Sequence, residues 1–123
     1  DNDGDLDVLM LNNNGPARLL LNRVGNRSRW LGLRLGERRG GPSLGAAAAV
    51  RRTDGANLER RIQTDGSYCS AGDPRALAGL GPEGTGERLE ARWPTRERQR
   101  WYGPPSNRYL ALGRPAASGG TKR

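Results

Sequence analysis

Leu31, Leu33 and Leu35 alternate with Trp30, Gly32 and Arg34. A period of two puts the leucines on one face of an extended chain, so this stretch predicts a half-buried strand. Leu89, Ala91 and Trp93 alternate with Arg88, Glu90 and Arg92 in the same way, and Pro94 stops the run. The apolar run at residues 8–11 reads as a strand, and residues 18–21 return from the turn signal Asn-Asn-Asn-Gly at 12–15. Residues 46–52 have helix propensity, but they are short and bounded by Gly45 and by Thr53-Asp54-Gly55. They predict a strand, with residues 58–64 as its hairpin partner. Residues 76–80, 99–102 and 108–112 are further short candidates.

Between these runs lie turns and loops. Gly25 to Ser28 reads as a linker, and residues 36–45 and 81–87 read as loops rich in glycine. From Gly113 the tail has little to bury and is expected to be disordered. Short strands at regular spacing with turn signals between them predict an all-β fold. The expected architecture is a β-sandwich or barrel-like module of short antiparallel strands over residues 25–112, preceded by a hairpin within residues 1–24.

Composition limits what this module can do. A chain of 123 residues with 33% apolar residues, no Phe and 19 Gly permits a modest core with many turns. No apolar stretch approaches the roughly 18 residues of a membrane span. The chain contains no His, which excludes histidine-based catalysis and ligation, and its one Cys forms no internal disulfide. Cys69 is therefore expected to be a small buried hydrophobe.

The net charge is +8, and nearly all the basic residues are Arg; Lys122 is the single lysine. Four of the 13 acidic residues lie in the first seven positions, so the remainder is more basic still. Such a balance suits a nucleic-acid or other polyanion surface. It also suits a compositional bias toward Arg at solvated positions, and the scatter of Arg through every segment favours that second reading.

Several motifs point to chemistry the chain cannot complete. Gly41-Pro42-Ser43-Leu44-Gly45 matches a nucleophile elbow, but that motif needs a strand–turn–helix setting and a His base. Gly81 to Glu87 has the glycines of a phosphate loop but lacks the Gly-Lys-Ser/Thr ending. No two carboxylates have a spacing that singles them out as a catalytic pair. The expectation is a protein that is not an enzyme.

Two stretches suit binding. Residues 92–103 interleave Arg with Trp93, Trp101 and Tyr102, and Arg96, Arg98, Arg100, Trp101 and Tyr102 form a possible binding surface. Trp93 shares a strand face with Leu89 and Ala91, so it belongs to the core, and Trp101 fits the same role with the arginines as the wet side. A nucleic-acid platform is accordingly disfavoured. At the other end, Asp1, Asp3, Asp5 and Asp7 surround Gly4. Ca²⁺ takes several oxygen ligands from a flexible loop turned by Gly. With Gly4 at the turn of an EF-hand-type loop, the aspartates fall at the third, fifth, seventh and ninth loop positions, the seventh acting through its backbone carbonyl. The first ligand would precede Asp1, so the expectation is a partial site that binds calcium weakly.

The opening residues, DNDGDLDVLMLNNNGPARLLLNR, resemble the end of an FG-GAP/VCBS-type repeat, the calcium-loop unit of β-propeller blades. The pieces GNRSRWLGLRL, GSYCSAGDPRALAGLG and LEARWP resemble the ASPIC/UnbV domain of cartilage acidic protein-like chains. The chain departs from that pattern at Ala78, where an aromatic is usual, at Cys69, where an aliphatic residue is usual, and at Thr95-Arg96, where Ser-Gly is usual. The resemblance implies a secreted or cell-envelope protein in which upstream propeller-type repeats precede a recognition or scaffold module. Its partner would be an extracellular protein or glycan. The alternatives are a basic nucleic-acid-binding β domain and an accessory domain of a larger secreted enzyme.

Overall fold

The computed structural model describes residues 1–116 and is all-β. The strands, in chain order, are β1 (Val8–Met10), β2 (Arg18–Leu20), β3 (Arg29–Gly36), β4 (Ala47–Arg52), β5 (Asn57–Arg61), β6 (Ala76–Gly81), β7 (Gly86–Arg92), β8 (Arg98–Tyr102) and β9 (Arg108–Gly113). They form three open sheets. β1 and β2 pair only with each other, β6-β3-β9 form a three-stranded sheet, and β5-β4-β7-β8 form a four-stranded sheet. No sheet closes into a barrel, so the sandwich alternative holds.

The two larger sheets enclose one core. Leu31, Leu33 and Leu35 of β3 meet Ala48 and Val50 of β4, Ala78 and Leu80 of β6, and Leu89 and Ala91 of β7. Trp93 is 3% exposed and closes one end, its indole N–H donating to Gln99 Oε1 at 3.1 Å. The alternation in β3 and β7 therefore does what it predicts. The Ala-rich run is a strand because its neighbours need it extended. Ala48 and Val50 face inward, while Ala47 and Ala49 face outward between two flanking strands.

One pairing departs from the antiparallel pattern. β9 lies parallel to β3, with Leu31 opposite Arg108 and Gly36 opposite Gly113. This strand carries the chain past the expected boundary of the tail. Gly113 is in the sheet, and the Arg114 backbone N–H donates to the Gly36 carbonyl at 3.1 Å. The Arg114 guanidinium then reaches Glu37 at 3.0 Å and Glu97 at 3.8 Å, so it links the end of β3 to the β7–β8 turn. The tail expected to be disordered from Gly113 is thus anchored through Arg114, and residues 117–123 lie outside the described residues.

Three further expectations change. Cys69 is exposed at φ +50° in the loop before β6, not buried; only a short polar stretch surrounds it, with no core face to enter. The hairpin strand β5 ends at Arg61, and Ile62 turns into the core, donating its N–H to the Ala46 carbonyl at 2.8 Å. The presumed linker at Gly25–Arg27 is a 3-10 turn that holds the N-terminal loop, as follows.

Candidate functional site

The N-terminal aspartates form a loop docked on the three-stranded sheet. Gly4 makes the turn at φ +103°, and its bare α-carbon lets the Trp30 indole pack where a Cβ would sit. Asn26 fixes the loop from the other side. Its side-chain amide donates to Asp3 Oδ2 at 2.6 Å, and its backbone N–H donates to Asp5 Oδ2 at 3.2 Å. The backbone N–H of Asn22 donates to Asp7 Oδ1 at 2.9 Å.

The four aspartates are not equivalent. Asp3 Oδ1 and Asp5 Oδ1 are shielded from solvent and have no hydrogen-bond partner. Asn26 holds the Asp3 carboxyl below its ordinary range. Burial, then the neighbouring Asp3 charge, pushes Asp5 up. Two orphaned carboxylate oxygens at one place fit a small hard cation, which would satisfy both and cancel their repulsion. Asp1 and Asp7 are engaged differently. Asp1 Oδ1 accepts from the Asp3 N–H at 3.2 Å, and the Asn22 N–H, the largest influence on Asp7, lowers its pKa. Asp5 presents its side chain, where the loop register expects its carbonyl. Among the described residues no group of three or more His, Cys, Asp and Glu side chains is arranged to hold a metal.

The second candidate is the outward face of the four-stranded sheet. Strand register sets its composition. Arg61, Ala47, Arg92 and Arg98 lie side by side across β5, β4, β7 and β8. The next row is Glu59, Ala49, Glu90 and Arg100, and the third is Asn57, Arg51, Arg88 and Tyr102. Alternation in each strand sends these residues out and their neighbours into the core. Glu90 sits at the centre and takes Arg100 at 2.7 Å and Arg98 at 3.6 Å. The bond from Arg100, then the nearby Arg98 and Arg88 charges, hold its carboxyl below the usual glutamate range. Arg92 pairs with Glu59, and Arg51 with Glu87 at 3.3 Å. Arg61 and Arg88 make no ion pair among the described residues.

The sequence-predicted surface divides accordingly. Arg98, Arg100 and Tyr102 face outward on this sheet. Trp101 turns inward and packs on the core. Arg96 sits in the β7–β8 turn at φ +72°, off the face. Arg51, Arg61, Arg88 and Arg92 join the face from three other strands. Their shared signal is the polar half of each alternation, but only the register shows that the halves coincide.

Ser43, the serine of the elbow-like motif, is 1% exposed and donates to Glu37 Oε1 at 2.5 Å. It holds the β3–β4 loop to the end of β3.

No curated protein matches the chain. The family model described as ASPIC and UnbV matches residues 36–119, beginning at the last residue of β3 and leaving the aspartate loop and the β1–β2 hairpin outside the match. The match covers more than half of the sequence and takes in β4 to β9, so the chain belongs to the ASPIC and UnbV family.

Proposed function

We propose that this chain is a non-enzymatic recognition or scaffold module of a secreted or cell-envelope protein, seated at the end of calcium-dependent propeller-type repeats. The observation that carries this reading is the β1–β2 hairpin. It pairs with no other strand, and Val8, Leu9, Met10, Leu19 and Leu20 are all 43–63% exposed. A two-stranded hairpin is marginal in water without a sheet or core to cover it. A preceding blade would supply that cover, in line with the usual position of ASPIC/UnbV domains after FG-GAP/VCBS repeats. Ca²⁺ held by Asp3 and Asp5 would stiffen the loop that leads into β1.

The test is calcium titration of the full-length protein, followed by calorimetry and by hydrogen exchange at Val8–Met10. Calcium should slow exchange across β1, and Asp3→Ala should abolish that effect. For the isolated chain, with two free carboxylates, affinity should be about millimolar or weaker. Unchanged exchange with calcium, or an Asp3→Ala protein that still responds, would reduce the aspartates to a solvated acidic turn.

A further inference from the structure

We propose that the outward face of the four-stranded sheet binds a linear sulfated polysaccharide. Arginine is scattered along the sequence, yet the register gathers six on this one surface: Arg51, Arg61, Arg88, Arg92, Arg98 and Arg100. Only Glu59 and Glu90 oppose them within the three rows. The outer side of the other sheet is built differently. Trp30, Gly32 and Tyr109 form it, and the N-terminal loop and Arg75 lie over it. One sheet is covered, and the arginine sheet is open among the described residues.

The geometry selects the ligand. Neighbouring strands lie about 4.8 Å apart, and alternate residues along a strand lie about 6.7 Å apart. The guanidinium groups thus form a two-dimensional grid. Ala47 and Ala49 leave a low floor on β4 between the taller side chains of β5 and β7. A sulfated polysaccharide carries oxyanions on both edges of a ribbon and can meet several rows at once. A polyuronate offers one carboxylate per ring along a single line. Planar guanidinium forks bind such oxyanions through paired hydrogen bonds. Glu90 and Glu59 hold Arg98, Arg100 and Arg92 extended over the sheet, so fewer rotamers are lost on binding. Nucleic acid fits less well. Single strands need aromatic platforms for their bases, and this face offers only Tyr102, at one corner.

This inference rests on the reading of the chain as a recognition module. It concerns a different surface from the aspartate loop and hairpin, so binding here and calcium protection of β1 succeed or fail separately. The experiment is calorimetry with a heparin octasaccharide at physiological salt, using the native chain, Arg61→Ala/Arg88→Ala, and Arg38→Ala/Arg39→Ala as a control of equal charge in the β3–β4 loop. The expected result is binding that weakens about tenfold or more in the first variant and less than about twofold in the control. Affinity should fall as salt rises. If the double variant melts early, Arg61→Ala on the edge strand replaces it, with a smaller loss in the same direction. Equal losses in the two double variants would mean diffuse attraction to net charge. Tighter binding to a single-stranded or duplex oligonucleotide, equal binding to polygalacturonate, or no heparin binding would each overturn the proposal.

Discussion

The Tyr109 ring lies over Gly32, in the space a side chain at position 32 would fill. The two residues are partners across the parallel β3–β9 pair. The ring is also edge-on to Trp30 at 5.0 Å and carries the Arg75 guanidinium 4.4 Å above it. Gly32→Ala should therefore expel the ring and cost about 1–3 kcal/mol, the usual range for overpacking a filled site. Tyr109→Ala should also destabilise. The double variant should be more stable than the sum of the two losses, because the second change makes room for the first. A double-mutant cycle in urea measures this, and strict additivity would show that the ring does not depend on the missing Cβ.

Arg96 occupies left-handed backbone at φ +72°, a conformation that costs a branched residue and costs glycine nothing. The family resemblance places Gly here. Arg96→Gly should stabilise the domain by up to about 1 kcal/mol, read as a rise in the denaturation midpoint. A fall would mean that the Arg96 side chain stabilises the turn by more than its backbone strain costs.

Glu90 gives a pH signature. Its folded pKa is depressed, chiefly by Arg100. A depressed carboxylate adds stability above its unfolded pKa and loses that contribution as pH falls through the folded value. The stability gap between the native chain and Glu90→Gln should be full at neutral pH and should close below the ordinary glutamate range. The measurement is a series of melting curves from neutral to acid pH in both proteins. A gap that stays constant with pH would remove the ion pairs from the account.

The strands of the core were legible because burial on one face leaves a local trace. Leu31 to Leu35 and Leu89 to Trp93 each state their period within a few residues. The all-β class, the Trp93 core position and the inward turn of Trp101 follow from that trace. What stayed hidden depends on partners distant in sequence. Nothing local to residues 108–113 says that the strand runs parallel to β3. Nothing local to Arg61 or Arg88 says that they will stand in neighbouring rows, since a one-residue slip of either strand would send them to the other face. Asn26, within an apparent linker, likewise shows no sign of reaching Asp3 and Asp5 across more than twenty residues.

The parallel pairing has a consequence for how the molecule is made. β3 sits in the middle of its sheet, and its second neighbour is the strand furthest from it in the sequence; Trp30 and Asn107, bonded at the join, are 77 residues apart. Closing so long a loop delays folding, because the entropy is lost before the contacts form. On the ribosome, β3 to β8 would emerge with one side of the central strand bare, and the sheet would wait for β9 to leave the exit tunnel. Until then the unpaired edge of β3 is the part of the nascent chain that a chaperone, or another copy, would find first.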